Sequence, residues 1–437
     1  MDFSRSNQLA QRLAEIVPGG GHTYAKGPDQ FPEQSPGVLV RGAGCHVWDA
    51  DGNEFIEYGM GLRAVGLGHA YPEVVDAVRR SLDLGTNFTR PAAIELECAE
   101  ALAAIVGAPE MVKFTKDGST ATSAALKLAR AQTGRDMVGV CAEHAFFSYD
   151  DWFMSTTTMD GGILDDDDAA RTTSFHYNDV ASVRAMFDRH AGRIAAVFLE
   201  VARTEPPVAG FLEGLRELCT ANGTVLVFDE MITGFRYALH GAQDLYGVRP
   251  DLSTWGKAMA NGFSVSAITG SRELMRLGAR VCDGENVFLL STTHGAEVCS
   301  LAAAMATMAV YEREPVVEHM ARAGERLSAG FAAASAGHGL AELLKPVGFA
   351  CNLLFTTMDA DRRPSQPLRT RFLQELVRHG VLAPSLVVSY SHTDVDIDRT
   401  IEALDAAMAV YAKALSHGTD GLLVGEPSRT VFDRKWR

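Results

Sequence analysis

The chain has 437 residues, 47% of them apolar and 22% charged, a globular composition long enough for two or three cores. A formal net charge of −15 argues against a nucleic-acid-binding surface and means that an anionic substrate would need local cations. The seven cysteines are odd in number and scattered, with no C-x-x-C pair, which argues against a disulfide framework or structural zinc and for a reducing cytoplasm.

The opening residues lack the basic stretch and apolar core of a signal peptide. Apolar runs such as Ile194–Leu199 fall far short of a membrane span, so no membrane partner is expected. Leu9, Leu13 and Ile16 recur at helical spacing until Pro18 and three glycines stop the pattern. After a polar and aromatic loop from His22 to Pro32, strands at 39–40, 45–48 and 54–58 with a turn-rich tip predict a small antiparallel unit.

Gly59-Met-Gly61-Leu-Arg-Ala64 matches the dinucleotide pattern G-x-G-x-x-A. A Rossmann site needs a helix to open there, however, and Gly66, Gly68 and Pro72 keep the chain irregular, so nicotinamide binding is set aside. Arg63 in this loop is a candidate ligand cation, weighed against an ordinary surface arginine.

Helices are predicted over 72–84 and 93–106, then a strand over 112–115. The turn Lys116-Asp-Gly-Ser-Thr120 leads into an Ala/Leu-rich helix that runs to about 131. Strand, glycine turn and helix N-terminus make an anion site, because unpaired N–H groups and the helix dipole face the ligand. Next come a strand over 137–141, an aromatic loop over 143–153 and the run Asp165–Asp168, read as a solvated loop rather than a metal site. A helix over 180–190, a strand over 194–199 and a helix over 210–222 lead to Val225–Phe228, a short β-branched and aromatic run that reads as a strand buried on both faces.

Asp229 and Glu230 follow that run directly, and Lys257 closes a second extended segment, Pro250-Asp-Leu-Ser-Thr-Trp-Gly-Lys257. A carboxylate and an amine, each at a strand end, suit a cofactor that needs an anion under a ring nitrogen and a Schiff-base lysine: pyridoxal 5′-phosphate. Taken singly, the bland readings are a helix cap and a solvated turn; together with the anion turn the pattern gains force. A strand over 265–269, a hydroxyl-rich segment ending at Gly295 and a long helix over 297–313, able to bridge two domains, come next. Beyond them a helix over 316–335, strands near 341–356, a helix over 367–379, a short strand and a helix over 394–416 describe a smaller α+β domain. The tail after Gly418 reads as an extended arm. The βαβα rhythm predicts an α/β fold with a mostly parallel central sheet flanked by helices. The expected division is 1–65 as an N-terminal segment, 66–310 as the cofactor domain and 311–437 as the small domain.

These motifs, with Pro18-Gly-Gly, Leu67-Gly-His69, Phe228 to Arg236 and Thr292-Thr-His-Gly295, resemble class III, fold-type I pyridoxal-phosphate aminotransferases. The likeness is strongest to the glutamate-1-semialdehyde aminomutase branch, and it spans nearly the whole chain. The resemblance implies that Lys257 holds the cofactor and shuttles a proton, and that Asp229 pairs with the ring nitrogen. It places Gly118 and Ser119 on the phosphate, Phe146 and Met231 against the two ring faces, and Thr293 on the phosphate of a neighbouring subunit in a homodimer with shared active sites. Arg63, Tyr24 and His22 would line the substrate side, and no metal is implied.

The chain departs from the family pattern at several points. Lys116-Asp117 replaces the usual Asn-Ser, which puts an anion beside the phosphate turn unless Lys116 compensates it or Asp117 caps the helix. Thr120 replaces a Glu, Phe146-Phe147 stand for Tyr-His, Met231 for a smaller Val and Leu62 for an aromatic. The leading expectation is transfer of an amino group from a small-molecule donor to a keto or aldehyde acceptor in a biosynthetic setting. An intramolecular aminomutase is the alternative, and an idle cofactor-binding module is the rival from another class.

Overall fold

The structure, a computed structural model, describes residues 1–107, 109–144, 146–159, 161–163, 171–279, 287–417 and 423–431. The acidic run Asp165–Asp168 lies outside the described residues. The chain divides into two compact units, one of residues 1–71 with 318–431 and one of residues 72–317.

The first unit opens with helix α1 (Ser4–Ile16) and strands β1 (Leu39–Ala43), β2 (His46–Asp49) and β3 (Glu54–Glu57). The second carries α2 (Pro72–Leu82), α3 (Ala93–Ile105), β4 (Met111–Thr115), α4 (Gly118–Thr133), β5 (Met137–Cys141), α5 (Asp151–Met154) and β6 (Thr172–Phe175). It continues through α6 (Val180–Arg189), β7 (Ile194–Leu199), α7 (Phe211–Ala221), β8 (Val225–Asp229), α8 (Ala242–Leu245), β9 (Leu252–Trp255), β10 (Ser266–Gly270), α9 (Arg272–Arg276) and α10 (Val298–Arg313). The remainder supplies α11 (Val316–Gly337), β11 (Pro346–Val347), β12 (Leu354–Phe355), α12 (Gln366–Arg378), β13 (Val381–Leu382) and α13 (Asp394–His417).

In the second unit seven strands form one sheet in the order β4-β10-β9-β8-β7-β5-β6. Strands β9, β8, β7, β5 and β6 run parallel, and β10 lies antiparallel between β4 and β9. Both faces are covered. Val225 and Val227 of β8 pack with Ala124, Leu128, Val140 and Phe198 on one side, and Leu226 and Phe228 pack with Val183, Phe187 and Leu215 on the other. Each such buried side chain contributes about 2 kcal/mol, and this two-sided burial is why the central strands read as unbroken apolar runs. Helix α10, a candidate bridge between domains, lies within the second unit against α2. Its apolar residues Val298, Leu301, Met308 and Val310 are buried there.

In the first unit β1, β2 and β3 are antiparallel, as the alternation predicts, and β13 adds a parallel strand against β3 through Val381↔Ile56 and Leu382↔Glu57. The N-terminal segment therefore shares a sheet with the C-terminal one instead of standing as a third part. Asp396 knots the unit. Its carboxylate takes the Thr393 N–H and hydroxyl at the start of α13, and it also meets the Cys45 thiol and His46 Nε2, the latter at 3.1 Å. The described part of the tail lies along this unit, with Arg429 N–H on the Asp29 carbonyl at 2.8 Å. Among the described residues no helix is long and apolar enough to cross a membrane.

Candidate active site

Asp229 is the last residue of β8, at the carboxyl end of the parallel strands, where open α/β sheets place their ligands. It is 4% exposed. Met231 N–H at 3.0 Å and the Thr254 hydroxyl at 3.2 Å both donate to its Oδ1, so the carboxylate is fixed through one oxygen. Burial pushes its carboxyl up to about 7, the charge of Glu200 adds to the rise, and Lys257 with the two hydrogen bonds opposes it. Glu200 belongs beside it by register: Leu199 of β7 faces Phe228 of β8, so the next residue of each strand is a carboxylate. The Glu200 N–H donates to Nδ1 of the buried His144 at 3.1 Å.

The two acids adjacent in sequence part ways in space. Glu230 is 1% exposed and accepts the Thr233 hydroxyl, Ala242 N–H at 2.9 Å and Gln243 N–H at 2.7 Å. It closes the turn into α8 and is structural.

Lys257 opens a short 3-10 turn (Lys257–Ala260) with φ +46. The left-handed region is costly for a non-glycine residue and concentrates at functional sites. Gly256, just before it, has no room for a side chain: a Cβ there would stand 2.6 Å from Met231 Sδ. On Gly118 a Cβ would stand 3.3 Å from the same sulfur. Met231 is therefore wedged between the residue before Lys257 and the first residue of α4. Gly118, Met231, Asp229 and Lys257 form one cluster.

At the start of α4 the N–H groups of Gly118 and Ser119 are the first donors of the helix, with no acceptor inside it. Asp117 is the N-cap: its Oδ1 accepts Thr120 N–H at 2.8 Å and its carboxylate also takes the Thr120 hydroxyl. Lys116 turns elsewhere, to Glu297 Oε1 at 3.1 Å and the Ser264 carbonyl at 2.9 Å. The unusual Lys116-Asp117 pair thus resolves into a cap and a separate ion pair. Ser119 Oγ accepts Tyr149 N–H at 3.2 Å and so anchors the aromatic loop. In that loop Phe147 is buried, while Phe146 is 44% exposed and meets Phe153 edge-on at 5.8 Å. Thr293 is exposed, its carbonyl taking the Asn87 amide at 3.1 Å.

The other named residues lie in the first unit. Residues Met60 to Arg63 all have positive φ, +42, +57, +58 and +74 in order, where a Rossmann site would have opened a right-handed helix. Arg63 is half-buried and its Nε–H donates to Asn352 Oδ1 at 2.6 Å. His22 and Tyr24 are exposed around the turn Tyr24–Lys26. Sequence reasoning missed Glu200, His144 and Asn352. Glu200 had a readable signal, since an apolar strand ending in a carboxylate is the pattern that marked Asp229; Asn352 had none.

The cluster fits pyridoxal 5′-phosphate. A buried carboxylate that resists ionising alone suits a cationic ring nitrogen, helix-start N–H groups suit a phosphate, and Lys257 supplies an amine whose charge acts on Asp229. The class-III aminotransferase family model matches residues 30–408. Glutamate-1-semialdehyde 2,1-aminomutase 2 of Brevibacillus brevis is 32% identical over 430 residues, covering 93% of this chain and 99% of that one. Among solved structures, the PLP internal aldimine form of the Sphingopyxis sp. MTA144 FumI protein superposes with a TM-score of 0.87 at 29% identity, over 97% of this chain and 99% of that one. A β-phenylalanine aminotransferase from Variovorax paradoxus gives 0.79 at 26% identity over 94% of each chain. The chain belongs to the class-III aminotransferases, enzymes of fold type I that take pyridoxal 5′-phosphate as cofactor.

Proposed function

We propose that the protein is an aminotransferase that moves an amino group from a small-molecule donor to a keto or aldehyde acceptor in a biosynthetic pathway. The observation that carries this reading is the buried Asp229 held in one cluster with Lys257 and the start of α4. When bound, pyridoxal phosphate supplies the carbonyl that captures amines and the electron sink that stabilises a carbanion. Lys257 would provide the amine that anchors it and would serve as the base that takes up and returns the proton between carbon atoms. Asp229 keeps the ring nitrogen protonated. Gly118 and Ser119 hold the phosphate, Met231 and Phe146 confine the ring, and Arg63, with Tyr24 and His22, receives the substrate, Arg63 taking its carboxylate or other anion. In a homodimer Thr293 serves the neighbouring subunit's phosphate. The six described cysteines are free, in keeping with a cytoplasmic setting.

Mixing holoenzyme with amino donors should bleach the cofactor's visible absorbance and release a keto product, and Lys257→Ala should abolish both. Colour that persists with every donor would overturn the reading. The second reading, an intramolecular aminomutase, draws on the name of the Brevibacillus relative. Leu62, where the aminomutase pattern has an aromatic, weighs against it. Conversion of one amino-aldehyde with no keto co-substrate would decide for the aminomutase.

A further inference from the structure

We propose that Cys45, His46 and Asp396 form a binding site for a zinc ion, which pins the β1–β2 turn to the start of α13 within the first unit. None of the three belongs to the residues assigned to amino transfer, so the site stands or falls without that reading.

One donor atom from each residue, the Cys45 sulfur, a ring nitrogen of His46 and a carboxylate oxygen of Asp396, lies within 4.8 Å of the other two. Cys45 Sγ is 3.4 Å from Asp396 Oδ2, and His46 Nε2 is 3.1 Å from Oδ1. Around a tetrahedral zinc ion, neighbouring donors stand roughly 3.3 to 3.6 Å apart, so shifts of a few tenths of an ångström seat the ion. Thiolate, imidazole and carboxylate together favour zinc over calcium or magnesium, which take oxygen alone. Cys45 and Asp396 are buried, at 1% and 5% exposed, whereas the His46 side chain reaches solvent and gives an ion its way in. No spacing motif announces the site, because His46 and Asp396 are 350 residues apart.

The donors are held in place before any ion arrives. Neighbours on a strand point to opposite faces, yet Cys45 and His46 converge because Cys45 lies in the two-residue turn between Ala43 and its pair His46. Gly44, the other turn residue, has φ +58, and it exchanges backbone hydrogen bonds with His69 at 2.9 and 2.7 Å. A reciprocal cap aims Asp396: its Oδ2 accepts Thr393 N–H at 2.9 Å, while its own N–H donates to the Thr393 hydroxyl at 3.3 Å. On the far side of the His46 ring, Glu54 Oε1 stands 2.8 Å from Nδ1. An imidazole with one N–H satisfies only one of these two carboxylates, and its other nitrogen then needs a second proton or a metal ion. Zinc on Nε2 leaves the ring proton on Nδ1 toward Glu54, an arrangement that orients histidine ligands. Its binding releases the thiol proton of Cys45, so the ion's charge answers the thiolate and Asp396.

The test uses chelator-stripped holoenzyme titrated with Zn2+ against a chromophoric chelator. Wild type should take one ion per chain with a Kd tighter than about 1 μM. Cys45→Ser and His46→Ala should each weaken binding at least a hundredfold. Glu54→Gln, which touches the ring and not the ion, should weaken it about tenfold. Cys299→Ser, a half-buried cysteine of the second unit, should leave it unchanged. Co2+ in place of Zn2+ should add the intense visible bands of a four-coordinate site, absent from Cys45→Ser. Saturating Zn2+ should raise Tm by several degrees in wild type and in neither ligand variant. If Cys45→Ser fails to fold, His46→Ala carries the comparison, since that side chain is partly in solvent. A wild-type Kd weaker than about 1 μM, or an affinity that the folded ligand variants share with wild type, would overturn the site and leave a knot of ordinary hydrogen bonds.

Discussion

Asp229 stores a measurable pH dependence. An unfolded aspartate loses its proton near pH 4, whereas in the folded apo-protein Asp229 keeps its own to about 7. Between those values the folded state carries the extra proton, so stability falls as pH rises, by about 4 kcal/mol over roughly three units. Urea unfolding of apo-protein at pH 5 and pH 7.5 should show this slope in the wild type and lose it in Asp229→Asn; equal slopes would refute the burial argument. The neighbouring acid has a different task. Glu230→Ala strands three buried donors and should cost about 3 kcal/mol of stability. Enzyme that still folds should keep kcat per bound cofactor within twofold, because Glu230 closes a turn and touches no reacting group.

At the scale of elements, the start of α4 balances a cap against an anion. Asp117 contributes about 1 kcal/mol as N-cap, yet it sets a carboxylate beside the expected phosphate. Asparagine caps as well as aspartate, so Asp117→Asn should preserve Tm and lower the Kd for pyridoxal phosphate several-fold in a fluorescence titration. A weaker Kd would mean that the carboxylate assists binding. Helix α11 sets a second limit. A Cβ on Gly324 would lie 1.9 Å from the Ala350 carbonyl oxygen, so the turn bearing Asn352 rests directly on the helix backbone. Gly324→Ala must displace that turn. The expected cost is about 2 kcal/mol, read by thermal unfolding.

At the scale of the whole molecule, the first unit is discontinuous. Residues 1–71 and 318–431 share one sheet through the parallel β3–β13 pair. A chain of residues 318–431 alone would leave β13 unpaired and Val377 and Leu382 uncovered. It should aggregate or give a disordered circular dichroism spectrum, while the same chain supplied with residues 1–71 should fold. Much of this architecture was legible beforehand. Apolar runs of strand length, the glycine turn before α4 and the strand-end positions of Asp229 and Lys257 are local patterns, set by side-chain periodicity and backbone preference within a few residues. The sequence by itself therefore determined the βαβ order, the mostly parallel sheet and the strand-end positions of Asp229 and Lys257. Only the tertiary structure decided that Glu230 turns away from Asp229, that Glu200 raises it, that the N-terminal hairpin gains β13, and that Asn352 grips Arg63. Those contacts join residues remote in the chain or depend on which way a single carboxylate turns. No local propensity encodes them, and they arise only once packing has closed the loops between.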